Sequence, residues 1–240
     1  SQESMDTITS LILKGEINGD DVQVLRYMTG RDKDGEVSYG MLSELDMSEV
    51  QIKSEGSYST GSNTIYLQTE GEIPQHMFIG CQSLKKIILP NLCTGIAGCA
   101  FQDCQYLEEV KIPENCTLIG GSAFSGCKSL SSIDIPSSVT AIGNYAFYNS
   151  NLQSITFVGD CHLSKIDQGC FRGTALTTFT LPSQIKTISE NAFLQCKFLR
   201  EFVIPEGSEL RSIKQNAFWD CSNLSTLRIP KDSKLVSIEE

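Results

Sequence analysis

Seven phenylalanines, Phe78, Phe101, Phe124, Phe147, Phe171, Phe193 and Phe218, recur at intervals of 23, 23, 23, 24, 22 and 25 residues. No other feature of the 240-residue chain restricts its fold so tightly. An isoleucine stands five positions before each, at Ile73, Ile96, Ile119, Ile142, Ile166, Ile188 and Ile213. A leucine follows five or six positions after, at Leu84, Leu107, Leu130, Leu152, Leu176, Leu199 and Leu224. Each leucine leads into a short alternating run whose inward pairs are Ile87/Leu89, Val110/Ile112, Ile133/Ile135, Ile155/Phe157, Phe179/Leu181, Phe202/Ile204 and Leu227/Ile229. Six of the seven runs end on proline, and Val158 takes its place in the fourth. Repetition at such a period is the mark of a solenoid.

The spacing dictates the geometry. A run with every second side chain apolar is a short strand that shows one face inward. One such strand cannot bury that face alone, but copies stacked in parallel, one per coil, can. Proline then ends the strand, because it brings no N–H to the ladder. The chain turns, drops Val139, Leu163, Ile185, Leu210 or Leu235 into the core, and adds the isoleucine three residues later. It returns through a tight bend in which alanine makes room for the adjacent coil and phenylalanine fills the interior. The expected fold is therefore an α/β solenoid, horseshoe-like, with parallel strands on one face. Leu235 and Ile238 restart a coil, so the array either closes on Glu239 and Glu240 or forms part of a longer one.

The first forty residues follow a different rhythm. Ile8, Leu11 and Ile12 suit one side of a short helix that stops near Gly15. Asp20 or Asp21 could cap a second helix carrying Val22, Leu25 and Met28, with Gly30 as its stop. Residues 1–44 thus read as a short helical N-terminal cap over the open end of the stack, and residues 45–240 as repeats, regular from about residue 62. Leu45-Asp46-Met47 makes an irregular first strand with Val50 and Ile52 in its return, and Ile65-Tyr66-Leu67 a degraded strand before the regular coils. Asp32-Lys33-Asp34-Gly35-Glu36 resembles a calcium loop only in its middle. With Gly35 at position six, Gly30 and Met41 fall where carboxylates are required, so a polar turn is expected.

Charge and chemistry narrow the function. The net charge of -10 disfavours nucleic acid, which wants a concentrated basic stripe. Residues 1–56 hold twelve acidic and five basic side chains, whereas the rest is nearly balanced. No apolar run is long enough to cross a bilayer, and Ser1-Gln2-Glu3-Ser4-Met5-Asp6 is too polar for a signal peptide. Of the ten cysteines, Cys81, Cys104, Cys127, Cys196 and Cys221 all lie three residues after the repeat phenylalanine, a place held by Ser150 and Thr174 in the other two coils. Cys93 and Cys116 share the register of Val139 and Ile185, and Cys170 stands where alanine is usual. Free thiols packed as small hydrophobes explain these positions best, with a disulfide between coils as the alternative and a metal site last. Cys99 and Cys161, outside the main registers, are the ones expected nearer the surface. The two histidines, His76 and His162, are nearly four coils apart and read as exposed loop residues. They leave no Cys/His nucleophile pair, no zinc centre and no catalytic residue to nominate, so neither cofactor nor metal is expected.

The outward strand positions are what a partner would meet. Coil by coil they are Lys86/Ile88, Glu109/Lys111, Ser132/Asp134, Ser154/Thr156, Thr178/Thr180, Glu201/Val203 and Thr226/Arg228. The face is mixed in charge and hydroxyl-rich at its centre, without the aromatic anchors of tight interfaces. Tyr148, Arg172 and Trp219 fall at comparable places on the return side, where they either form a convex patch or pack each against its own coil.

The motifs Leu130-Ser131-Ser132-Ile133-Asp134-Ile135-Pro136, Val139-Thr140-Ala141-Ile142-Gly143 and Ala146-Phe147 resemble the BspA-like class of leucine-rich-repeat proteins. Cys127 with Leu130 and Cys221 with Leu224 match that class's Ala-Phe-x-x-Cys-x-x-Leu link, and the likeness runs over residues 62–238. The leader, through Val22–Gly30 and Leu45–Ser48, is similar to the cap region that precedes such arrays. The resemblance implies export, an extracellular or bacterial cell-surface location, and a noncatalytic role in adhesion or recognition of an extracellular protein or glycan. A structural spacer of the bacterial surface is the alternative, and an enzyme is the reading least supported.

Overall fold

The computed structural model describes residues 5–61 and 63–240. Residue 62, the expected start of the regular array, lies outside the described residues, as do residues 1–4. The chain opens with strand β1 (Ser10–Ile17), helix α1 (Gly19–Met28), strand β2 (Glu44–Ile52) and the hairpin β3 (Ser57–Ser59) and β4 (Thr64–Tyr66). Alternating two-residue strands and longer strands follow: β5 (Glu72–Ile73), β6 (Lys86–Ile88), β7 (Gly95–Ile96), β8 (Glu109–Lys111), β9 (Leu118–Ile119), β10 (Ser132–Ile135), β11 (Ala141–Ile142) and β12 (Ser154–Phe157). The series continues with β13 (Lys165–Ile166), β14 (Thr178–Thr180), β15 (Thr187–Ile188), β16 (Glu201–Val203), β17 (Ser212–Ile213), β18 (Thr226–Arg228) and β19 (Ser237–Ile238).

The longer strands stack in parallel as a front ladder, in the order β1-β2-β6-β8, then β10-β12, then β14-β16-β18. The short strands form a flank ladder in two sections, β5-β7-β9-β11 and β13-β15-β17-β19. Between the two runs the core expected from the repeat. Six repeat phenylalanines are fully buried and form one file with Phe218, neighbouring rings lying 5.3–5.6 Å apart and nearly parallel. The inward pairs from Ile87/Leu89 to Phe202/Ile204 are buried, except Ile155 and Phe157, which are half-buried. Leu227 and Ile229 in the last coil are instead exposed, because no coil lies beyond them among the described residues.

The return segments are held by a third column of backbone bonds with a single polarity. In each of six coils three N–H groups donate to carbonyls of the next coil, as Phe101 to Ala123, Asp103 to Ser125 and Cys99 to Gly121, at 2.7–3.2 Å throughout the column. The first and third donors adopt the left-handed conformation in every coil, at residues such as Asp103 (φ +58°), Asn149 (φ +54°) and Gly126 (φ +73°). Asn, Asp and Gly tolerate this region best, which is why they gather there. All N–H groups of the column therefore point toward the C-terminal end and all C=O groups toward the N-terminal end.

The sulfur column has an equally specific role. The Cys104, Cys127, Cys196 and Cys221 thiols donate to the carbonyls of Phe78, Phe101, Phe171 and Phe193 at 2.8, 3.2, 3.0 and 3.0 Å. Ser150 and Thr174 hold the same place with hydroxyls that donate within their own coil, to the Phe147 and Phe171 carbonyls three residues back, rather than to the preceding coil. Burial pushes the Cys104, Cys127 and Cys170 thiols up in pKa, so they stay protonated. All ten cysteines are free, and Cys99 and Cys161 are half-buried as expected, together with Cys221.

The N-terminal region departs from the sequence reading in four places. Ile8, Leu11 and Ile12 do not form a helix. Residues Ser10–Ile17 form β1, which pairs in parallel with β2 (Leu11 opposite Leu45) and turns Leu11 and Leu13 toward the core. The cap of α1 is Asn18 rather than Asp20 or Asp21. Its side chain accepts from the Asp20 and Asp21 N–H groups, and the Asp21 carboxylate accepts from the Asn18 N–H. Val22, Leu25 and Met28 are buried as expected, and Gly30 follows the helix at φ +98°. Finally, Ile65 and Tyr66 lie in a hairpin antiparallel to β3, not in the stack, while Val50 and Ile52 continue β2 instead of returning. Because Leu45 pairs directly with Ile87, the hairpin occupies the stretch of chain where another coil would run. The Asp32 segment is the expected polar turn, its carboxylate accepting from the Asp34 and Glu36 N–H groups.

Candidate binding face

The ladder registers bring the nominated residues into two rows on the front. Lys86 stands opposite Glu109 and Ile88 opposite Lys111, Ser132 opposite Ser154 and Asp134 opposite Thr156. Thr178 stands opposite Glu201 and Thr226, Thr180 opposite Val203 and Arg228 in successive strands. Nine of the fourteen are exposed, and Lys86, Ile88, Glu201, Val203 and Thr226 are half-buried. The rows also extend past what the sequence reading nominated. Ser10/Ile12 and Glu44/Asp46 precede Lys86/Ile88 in the same register. The alternation Leu45, Met47 was the available signal for Glu44 and Asp46, and the pair Leu11, Leu13 the signal for β1.

Charges on this face are largely committed to one another. Lys86 Nζ lies 2.8 Å from Glu109 Oε2, and Arg228 Nε lies 2.7 Å from Glu201 Oε1, each pair bridging adjacent coils. Exposed pairs of this kind contribute little stability, but they reduce the net charge a partner meets. The Ser48 N–H donates to Asp46 Oδ1 at 2.8 Å and holds that carboxyl below the usual carboxylate range. Lys111 is free of such a pairing and faces the edge of a cleft.

Two clefts open where the front ladder is interrupted. Between β12 and β14 a cavity of about 480 Å³ is lined by Ser154, Thr156, Phe157, Asp160, Thr178, Thr180 and Gln184. Between β8 and β10 a second, of about 390 Å³, is lined by Glu108, Glu109, Lys111, Glu114 and Asp134. The larger cleft coincides with the coil in which Val158-Gly159-Asp160 replaces the proline turn. There the flank ladder breaks as well, between β11 and β13. The hydroxyl centre noticed in the sequence is thus the lining of a depression, a feature that residue spacing alone does not reveal.

On the return side the Arg172 guanidinium lies over the Tyr148 ring, 5.4 Å from its centroid, and Tyr145 meets Tyr148 edge-on. Trp219 is 67% exposed. His162 is exposed, but His76 is half-buried against the cap rather than an exposed loop residue, since its carbonyl accepts from the buried Arg26. Among the described residues no group of three or more His, Cys, Asp or Glu side chains lies close enough to hold a metal ion, and no helix is long and apolar enough to cross a membrane.

A family model described as the BspA type leucine rich repeat region matches in six copies, over residues 71–199 and 129–240. Among solved structures, a leucine-rich repeat protein from Eubacterium ventriosum aligns with a TM-score of 0.57 and 21% identity, over 82% of this chain and 55% of that one. The pneumococcal vaccine antigen PcpA aligns with a TM-score of 0.51 and 15% identity, over 95% and 51%. A leucine-rich repeat protein from Bacteroides ovatus gives a TM-score of 0.49 and 24% identity, over 74% and 56%. The chain spans about half the length of these structures. No curated protein sequence gives a significant match.

Proposed function

Since this chain belongs to the BspA type leucine-rich-repeat family, we propose that it is a noncatalytic recognition module of the bacterial surface or its surroundings, and that it holds an extracellular protein or glycan on the front ladder. The observation that carries the reading is the hydroxyl-lined cleft between β12 and β14. It sets Ser154, Thr156, Thr178 and Thr180 around an opening of about 480 Å³, the larger of the two clefts at the interruptions of the front ladder. Hydroxyls both donate and accept, so this lining suits an uncharged polar ligand group better than a phosphate or a metal. Extended solenoid faces suit large partners, whose contacts spread over several coils.

The test is a screen of the purified chain against host matrix proteins and a glycan array, followed by the double variant Thr156→Arg/Thr178→Arg. Both side chains point outward, so the variant should melt as the parent does and lose at least about ten-fold in affinity, roughly 1.4 kcal/mol. Lys111→Glu should change affinity more than Lys86→Glu or Arg228→Glu, because Lys86 and Arg228 are paired with Glu109 and Glu201 whereas Lys111 forms no ion pair among the described residues. A partner that binds all of these variants equally well removes the front face from consideration.

A further inference from the structure

The coil that carries Val158 pairs with different neighbours on its two sides. Its front strand β12 pairs with β10 of the preceding coil, whereas its flank strand β13 pairs with β15 of the following one. Chain length explains the crossover. Equivalent backbone bonds mark the start of each front strand and the end of each turn, as where the Thr177 N–H donates to Gln153 and the Lys186 N–H to Ser164. Gln153 to Ser164 covers eleven residue steps, while Ser131 to Thr140 before it and Thr177 to Lys186 after it cover nine. The two extra residues fall within residues 158–162, in place of a proline turn.

A slot opens between this longer coil and the next. Those two bonds, at 3.4 and 2.8 Å, tether it at both ends, and among the described residues β12 and β14 share no ladder between them. The cleft of about 480 Å³ and an adjoining cavity of about 440 Å³ share Asp160, Cys161 and Gln184, so the slot runs from the front face onto the turn. An added strand would need about 4.8 Å of extra separation along its length, which the tethers forbid.

The lining is amphipathic. Ile155 and Phe157 are half-buried and border the slot, whereas the same positions on either side, Ile133/Ile135 and Phe179/Leu181, are buried. Around this apolar floor the Thr156, Thr178, Thr180 and Ser183 hydroxyls, the Asp160 carboxylate and the Gln184 amide make no side-chain hydrogen bond among the described residues. Hydroxyls on the turns of the preceding coils are instead committed: Thr117, Ser138 and Thr140 donate to backbone carbonyls at 3.0, 2.7 and 3.2 Å.

We propose that this slot is a saccharide site that seats a neutral hexose unit of an oligosaccharide, an assignment that rests on the recognition role of the front face. A pyranose has a face of C–H groups and a rim of hydroxyls. The C–H face meets Ile155 and the electron-rich Phe157 ring. The sugar hydroxyls need partners that donate and accept, which Thr, Ser and Gln supply, and Asp160 accepts from two adjacent ones. The Asp160 charge disfavours a carboxylated or sulfated sugar by like-charge repulsion. A protein could seat only a side chain here, since the tethers exclude its backbone, whereas an oligosaccharide continues through the slot onto the turn.

The test is nuclear magnetic resonance of the folded chain, titrated with gluco-, manno-, galacto- and N-acetylglucosamine tetrasaccharides and with tetragalacturonate as the anionic comparison. At least one neutral sugar should shift the Gly159, Asp160 and Gln184 amides saturably at about millimolar concentration or below. Its ring protons should receive saturation from the Phe157 ring. Asp160→Ala and Gln184→Ala, both at exposed positions, should melt as the parent does and weaken that sugar at least about five-fold. Three results overturn the proposal: no neutral sugar moves these amides, tetragalacturonate binds as tightly or more tightly, or both variants bind like the parent. If a protein partner is nonetheless lost in Thr156→Arg/Thr178→Arg, the saccharide assignment alone falls and the recognition role of the front face stands. If no partner of any kind depends on that face, both fall.

Discussion

His76 shows how one residue couples the cap to the array. Its backbone is left-handed at φ +63°, its N–H donates to Gly98, its carbonyl accepts from Arg26, and its buried Nδ1 has no partner. Burial first, and then the neighbouring Arg26 charge, hold its pKa below the ordinary 6.5. The unfolded chain therefore takes up this proton before the folded one does, so stability rises with pH across the interval. The contribution is complete above pH 6.5 and is lost as pH falls through the folded value. Asp46 acts in the same direction only below its ordinary 3.8, so the two windows separate. Thermal melts between pH 7.5 and 5 should show a decline that His76→Gln flattens, and an unchanged decline in that variant would assign it elsewhere. Glycine acts at the same scale by permitting contact. A Cβ on Gly120 would lie 2.6 Å from the Gly98 nitrogen and 2.7 Å from the Ala97 carbonyl carbon, against backbone that cannot turn aside. At Gly98 the nearest atom would be 3.4 Å away. Urea titration should find Gly120→Ala destabilised by about 1–3 kcal/mol and Gly98→Ala by much less.

Elements were legible in the sequence in proportion to their repetition. The front strands from β6 onward, the flank isoleucines and the phenylalanine file follow from spacing, because each position is stated seven times. Helix α1 was readable from Val22, Leu25 and Met28 and the glycine at residue 30. Strand β1 was not, because Ile8, Leu11 and Ile12 satisfy a helical face while Leu11 and Leu13 satisfy a strand. Only pairing with β2, a tertiary fact, decides between them. The segment Ile65-Tyr66-Leu67 misled for a related reason: it has the alternation of a front strand but pairs locally with Ser57–Ser59, and no proline follows it. The rows of the binding face were readable, whereas its clefts were not, since they arise from ladder interruptions rather than from residue type. Arg26 of the cap donates to the His76 and Met77 carbonyls of the first coil at 2.9 and 3.0 Å, which gives an element-scale prediction. Arg26→Met keeps much of the volume and removes a buried charge, which by itself can stabilise. It also strands the Met77 carbonyl, an unsatisfied group worth about 1–3 kcal/mol, and takes one of two donors from the His76 carbonyl, which keeps the Ile79 N–H. The second effect should win. Chemical denaturation should show a net loss, with amide exchange accelerated first at Phe78 and Gly80. A variant as stable as the parent would mean that solvent satisfies those carbonyls without the guanidinium.

At the scale of the whole molecule, the coil that carries Val158 divides the stack into two blocks. Both the front and the flank ladders stop there, between β12 and β14 and between β11 and β13. What continues is the return column, with Phe147 donating to Cys170 and Asn149 to Arg172, and the ring file, with Phe147 and Phe171 5.6 Å apart and 2° from parallel. In a solenoid the stability is close to a sum of coil terms and nearest-neighbour interfaces, so cooperativity fails first at the weakest interface. Phe124 and Phe147 are equally buried, and losing either ring should cost about 3–5 kcal/mol. Their consequences should differ in kind. Phe124 lies inside a block whose flank ladder is intact on both sides, so Phe124→Ala should lower the midpoint while keeping a single transition. Phe147 carries the junction, so Phe147→Ala should separate unfolding into two transitions, with residues on either side of Val158 exchanging as distinct groups. Circular dichroism and residue-resolved hydrogen exchange on the two variants would read this directly. If Phe147→Ala unfolds in one step while Phe124→Ala splits, the ladder interruption does not set the boundary, and the cleft it opens is a local irregularity rather than a seam between two cooperative units.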